Sequence, residues 1–135
     1  MNIGQTDKLF ESFNMSSPAS QDAIISAEKV LHAKLPDGYV NFLSQGNGGE
    51  GFVGNNYLIL WPIEQIKELN EAYQVEEFAP GLLLFGSSGG GEAYAFDMRY
   101  EGSPIVQVPF VGMALKEVWN VASNFQEFLK KLSQS

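Results

Sequence analysis

Apolar positions along the chain follow two rhythms. From Leu82 to Pro109 they come as strand-length runs, LLLFG, EAYAFDM and PIVQVP, separated by the breaks SSGGG and RYEGS. Short apolar runs punctuated by Gly, Ser and other turn formers predict a β-meander. Within Glu92 to Met98, alternation sets Tyr94, Phe96 and Met98 on one face and Ala93, Ala95 and Asp97 on the other. The large set is expected to pack against helices. The small set is expected to leave the second face sparsely covered and open to a partner. The expected fold class is α+β: a mainly antiparallel sheet, hairpin plus meander, with helices packed on one side.

Elsewhere the spacing is helical. Thr6 to Phe13 reads as a short helix with Thr6 as cap and Leu9, Phe10 and Phe13 on one side. Ser17-Pro18 supplies a cap and a first-position proline, after which Ile24, Ile25, Ala27 and Leu31 form a stripe. Pro36 ends that helix by forcing Leu35 into an extended conformation, and opens another whose face is Tyr39, Phe42 and Leu43. Gly46 to Gly49 then offers a left-handed cap and a flexible exit. Gly51 to Trp61 reads as a hairpin turning at Asn55-Asn56, since asparagine tolerates positive φ. Trp61-Pro62 opens a third long helix, with Ile63, Ile66, Leu69 and Tyr73 inside and Glu64, Lys67, Glu68 and Glu71 outside. Leu115 to Val121 predicts a last edge strand. Ser123-x-x-Gln126 has capping-box spacing ahead of a final helix lined by Phe125, Phe128, Leu129 and Leu132.

Composition narrows the class. The 135 residues suit a single domain, 1–135, with residues 1–17 as an N-terminal extension, helical in part. Apolar content of 44% and charged content of 18% are globular values. With no cysteine, disulfides, zinc–thiolate sites and cysteine nucleophiles are excluded. The first residues show no apolar core behind positive charge, and no apolar run approaches the roughly 20 residues that span a bilayer, so a cytoplasmic location is expected. Sixteen acidic residues against eight basic ones give a net charge of −8. Phosphate-rich surfaces are held by clustered Lys and Arg, so neither nucleic acid nor an anionic membrane is expected as a partner. A basic protein fits such a field, and solubility alone would also explain it.

Residues that could carry chemistry are few. His32 is the only histidine, so any Ser/His/Asp triad would have to use it, and its place among Leu31, Ala33 and Lys34 at a helix end reads as a structural or surface histidine. No metal-ligand spacing is present. The Ser87-Ser88-Gly89-Gly90-Gly91 loop lacks the lysine and following helix of a phosphate loop and reads as a hairpin connection. Asp97, an acid within an apolar strand, is expected to bond a neighbouring turn, with partner contact as the second role. No catalytic residue, metal or cofactor is expected. The candidate partner-binding residues are Glu64, Glu68 and Glu71 on one helix face, Asn55 and Asn56 at the hairpin, Ser87, Ser88 and Glu92 around the glycine loop, and Asp97.

Four segments occur in a telling order: LPDGYVNFLSQGNGG at Leu35 to Gly49, GSSGGGEAYAFD at Gly86 to Asp97, IVQVP at Ile105 to Pro109, and SNFQEFLKKL at Ser123 to Leu132. From about Ile24 to Leu132 the chain resembles the SMI1/KNR4 family, part of the SUKH superfamily. The resemblance implies an antiparallel sheet flanked by helices. It also implies an immunity-type protein that binds and neutralises a toxin domain, often a nuclease, delivered between competing cells. The resemblance implies no catalytic residues, and it implies that the matching positions here (among them Pro36, Tyr39, Asn47, Phe96, Asp97 and Phe128) are mostly structural. Gly38 and the absence of an aspartate in the glycine loop depart from the family pattern. The implied function is stoichiometric occlusion of a toxin. The alternative is a regulatory or scaffold interaction module, as in the family's fungal members. An enzyme working through Asp97 ranks third.

Overall fold

In the computed structural model, which describes residues 10–134, seven strands follow one another across a single antiparallel sheet in chain order. They are β1 (Phe13–Met15), β2 (Gly49–Val53), β3 (Asn56–Leu60), β4 (Leu82–Ser87), β5 (Glu92–Asp97), β6 (Ile105–Pro109) and β7 (Trp119–Ala122). The helices are α1 (Gln21–Leu31), α2 (Asp37–Leu43), α3 (Ile66–Ala72), the single turn α4 (Val75–Phe78) and α5 (Phe125–Gln134). The α+β architecture is the expected one, and the Leu82–Pro109 meander is β4, β5 and β6.

Helices α1, α2 and α5 cover one face. Tyr39, Phe42, Phe125 and Phe128 pack there on Leu83, Phe85, Tyr94, Phe96 and Ile105 of the sheet. Alternation places Tyr94 and Phe96 on this face as expected, with Met98 partly buried against it. Gly38 faces α5, where a Cβ would just reach van der Waals contact with that of Phe125 at 3.4 Å. The Tyr39 hydroxyl is the buried side-chain polar atom left without a hydrogen-bond partner among the described residues. Burial pushes this phenol's pKa well up. Tyr39→Phe removes a desolvated group that gains nothing, so it is expected to raise stability by about 0.5–1 kcal/mol in denaturant titration.

The second face departs from expectation. Leu82, Leu84, Val106 and Val108 are buried there under Val75, Ala79 and Met113, and Ala93 and Ala95 are wholly buried among them. Small side chains at this point admit a close cover and do not mark an open surface.

The boundaries move for tertiary reasons. Thr6 to Leu9 lie outside the described residues, and Phe13 begins β1 where a helix end was expected. Gly51 makes room for this strand, because a Cβ there would strike the Ser12 carbonyl oxygen. Helix α1 is capped by Ser20, whose Oγ accepts from Ala23 N–H at 3.0 Å, and not by Ser17. Ser17 O and Ala19 N–H are spent on Asn47 and Leu43, which delays the helix. Ile25 is exposed, outside the stripe expected of it. Gly54, at φ 64°, supplies the positive φ of the β2–β3 turn that was expected of Asn55-Asn56, and Asn56 is already in β3. The third helix is split into a 3-10 turn (Ile63–Gln65), α3 and α4, with Gln74 at φ 55° forming the last break. Tyr73 consequently lies exposed. Leu115–Glu117 is a 3-10 turn ahead of β7. At α5 the capping box is set one residue later than expected: Glu127 N–H donates to Asn124 Oδ1 (2.8 Å) and Ser123 N–H to Glu127 Oε1 (3.1 Å).

Candidate partner-binding surface

The sheet opens between β3 and β4. These strands pair only at Ile59–Ser87 and Leu60–Gly86, after which the chain turns away at Trp61-Pro62. The freed edge of β4 is closed by a side chain. Asn70 of α3 donates from Nδ2 to Leu84 O (2.9 Å) and accepts Leu84 N–H on Oδ1 (2.9 Å), as a neighbouring strand would. Asn47 does similar work at the start of this segment, accepting from Ile63 N–H (2.8 Å) and donating to Glu64 Oε1 (2.7 Å). The expected flexible exit at Gly46 to Gly49 is therefore pinned.

This arrangement decides what each candidate residue can offer. The Glu64, Glu68 and Glu71 row is exposed, but Glu64 accepts from Asn47 and Glu71 pairs with Lys67 at 2.9 Å, which leaves Glu68 without a partner among the described residues. Asn55 sits at the exposed hairpin tip, whereas Asn56 donates to Leu132 O and ties the hairpin to α5. Ser87 is buried, with its Oγ accepting from Gly89 N–H. Ser88 N–H closes the β4–β5 turn onto Glu92 O at 3.1 Å, so the glycine loop is a hairpin connection.

Asp97 is only 2% exposed. Its Oδ1 and Oδ2 accept from Arg99 Nε (2.9 Å) and Nη2 (2.8 Å), and Arg99 N–H also donates to Oδ1. This fork holds the turn that leads to β6 and consumes the carboxylate, which has no surface left for a partner. The Arg99 guanidinium holds the Asp97 carboxyl below its usual range, against the opposing effect of burial. Such a carboxyl is a poor proton acceptor near neutral pH. Asp97→Asn is expected to cost about 1–3 kcal/mol at pH 7. The folded pKa is lowered from an unfolded value of about 3.9, so this stabilisation is complete above that value and fades as pH falls through the folded pKa. The stability curves of the two proteins should converge in acid; a gap that persists there would assign the cost to packing.

Accessible apolar side chains are scattered over the surface, among them Val111, Tyr100 and Trp119, and two of them, Phe52 and Tyr73, belong to a group beside the hairpin. Beside inward-facing Val53, Leu58 and Leu60, the same two strands turn Phe52, Tyr57 and Ile59 to the second face, and Trp61 continues the row. Phe52 and Tyr57 are cross-strand partners with ring centroids 5.1 Å apart, edge to face. Trp61 stacks on Tyr73 of the α3 C-terminus at 6.2 Å, and Tyr73 meets Phe110 at 4.7 Å. Sequence reasoning missed this group because each residue reads as ordinary core. The available signal was a hairpin apolar on both faces. Tyr57 Oη donates to Glu50 Oε2 at 2.5 Å, which raises the phenol pKa and keeps it a donor.

Among the described residues, no group of three His, Asp or Glu comes together to hold a metal, and no helix is long and apolar enough to cross a membrane. Comparison with known proteins places the chain. Residues 18–131 match the SMI1 / KNR4 family (SUKH-1), a span that runs from the approach to α1 into α5. The chain is also similar to the uncharacterized protein YnaB of Bacillus subtilis (strain 168), 39% identical over 88 residues. Those residues are 65% of this chain and 52% of the relative, so the similarity spans about half of that protein's length. The chain belongs to the SMI1/KNR4 family, SUKH-1.

Proposed function

We propose that this protein is a non-catalytic binder of the immunity type, which neutralises a basic toxin domain such as a nuclease in the cytoplasm by covering its working surface. The observation that carries the reading is charge: a member of this family with sixteen acidic and eight basic residues. A nuclease must present Lys and Arg to hold phosphates. An acidic protein competes for that surface and is drawn to it by long-range attraction. Occlusion needs no catalytic group, which suits a chain whose buried carboxylate, Asp97, is committed to Arg99.

The test is protection. Cells expressing the toxin domain encoded beside this gene should lose viability alone and regain it when the chain is co-expressed. Absence of protection, with no complex between the purified proteins at micromolar concentration, would sink the reading. Recovery of an endogenous partner from cells with no such toxin gene would favour a regulatory or scaffold module instead.

A further inference from the structure

We infer that the open half of the second sheet face, Phe52, Tyr57, Ile59, Trp61, Tyr73 and Phe110 with Glu50 among them, is the surface that seats the basic partner. The inference rests on the binding function proposed above and adds where and how the partner is held.

The hairpin supplies its share of the core from Val53, Leu58 and Leu60, so the fold does not need large apolar side chains on its other face. Phe52 nevertheless stands 49% exposed there, and Tyr73 is exposed at the far end of the row. Two aromatic groups on one face, Phe52 with Tyr57 and Tyr73 with Trp61 and Phe110, are of the kind that marks interaction sites, since rigid rings bury much area at little entropic cost. Ring contacts within each group hold its members in place before a partner arrives.

Charge selects the occupant. Glu50 lies opposite Ile59 in the β2–β3 register and is oriented by the Tyr57 hydroxyl, and the helix that precedes Tyr73 adds exposed Glu68. The row itself contains no Lys or Arg. A second copy of the chain would bring Glu50 towards Glu50 between molecules of charge −8, and a phosphate surface would be repelled. The complementary occupant is a protein domain with an apolar protrusion ringed by Lys and Arg. The opposite sheet edge suits strand addition poorly, because Lys131 Nζ occupies Val121 O at 2.8 Å.

The test is calorimetric titration, into the wild-type chain and into Phe52→Ser, Tyr73→Ser, Val30→Ser and Trp119→Ser variants, of a toxin domain against which the chain protects cells. Val30 (49%) and Trp119 (50%) are as exposed as Phe52 but lie off the row. Phe52→Ser or Tyr73→Ser should weaken binding about 30-fold or more, as for interface hot spots, whereas the two controls should stay within about twofold. Should a variant unfold, amide hydrogen exchange of the wild-type complex gives the same answer, with protection expected across residues 50–61. Undiminished binding by both row variants, or protection confined to α1 or β7, would overturn this surface and leave the binding function standing. No complex with the wild-type chain would overturn both.

Discussion

Phe85→Ala is expected to lower stability by about 3–5 kcal/mol, the cost of emptying an aromatic site in a closed core. Phe85 is fully buried on β4 and stacks on Phe96 with centroids 4.4 Å apart. Tyr39 of α2 and Phe128 of α5 each meet it at 5.7 Å, so one ring joins the sheet to both helices. Its neighbours are themselves fixed by aromatic contacts and cannot collapse far into the space. Against the roughly 5–15 kcal/mol that holds a domain of this size, the variant should unfold at much lower denaturant concentration. A loss below about 1 kcal/mol would show that the helices do not converge on this residue.

Asn70→Ala is expected to cost about 2–4 kcal/mol although the side chain is polar and only partly buried. The reason is what it leaves behind. Leu84 is fully buried, and both its N–H and its C=O rely on the Asn70 amide where β3 has departed. Asn70→Asp separates the roles: its carboxylate can still accept from Leu84 N–H but meets Leu84 O and Ile66 O, which the Nδ2 group now bridges. It should therefore be destabilising as well. Thermal unfolding of both variants checks this, and a change in Tm no larger than that of an exposed Glu68→Gln control would contradict it.

These two residues also mark how far the sequence could be read. Phe85 was legible as core, because LLLFG is a strand-length apolar run and its helical partners Tyr39, Phe125 and Phe128 lie on apolar helical stripes. Asn70 was not, because its role depends on a strand ending at Leu60 and on a helix arriving beside β4, and both are tertiary facts. The second-face cover was partly legible. Leu82 to Phe85 contains no polar residue, which is the pattern of a strand buried on both faces. Ala93 and Ala95 masked it, since small side chains fit an open face and a close cover equally.

The candidate surface shifted for the same reason. Asp97 was expected first to bond a neighbouring turn, and Arg99, two residues on, folds back to take its carboxylate, which removes only the second expected role, partner contact. Glu64 and Glu71 share a helical face with Glu68, yet Asn47 and Lys67 engage them. The aromatic row was hidden in plain hydrophobic pattern, because only the covering of one hairpin face, and not the other, separates Phe52 and Tyr57 from Val53 and Leu58. Helix caps followed local chemistry closely, but competing caps one to three residues apart were decided by backbone bonds from distant segments, as at Ser17 and Ser20.

The most direct measurement of the central claim is stoichiometric titration of the toxin domain's own activity with the purified chain at low and at high salt. The expected result is a linear loss of toxin activity reaching zero at one-to-one stoichiometry, with association slowed as salt screens the acidic surface. Toxin activity unchanged by a large molar excess of the folded chain at either salt would contradict it.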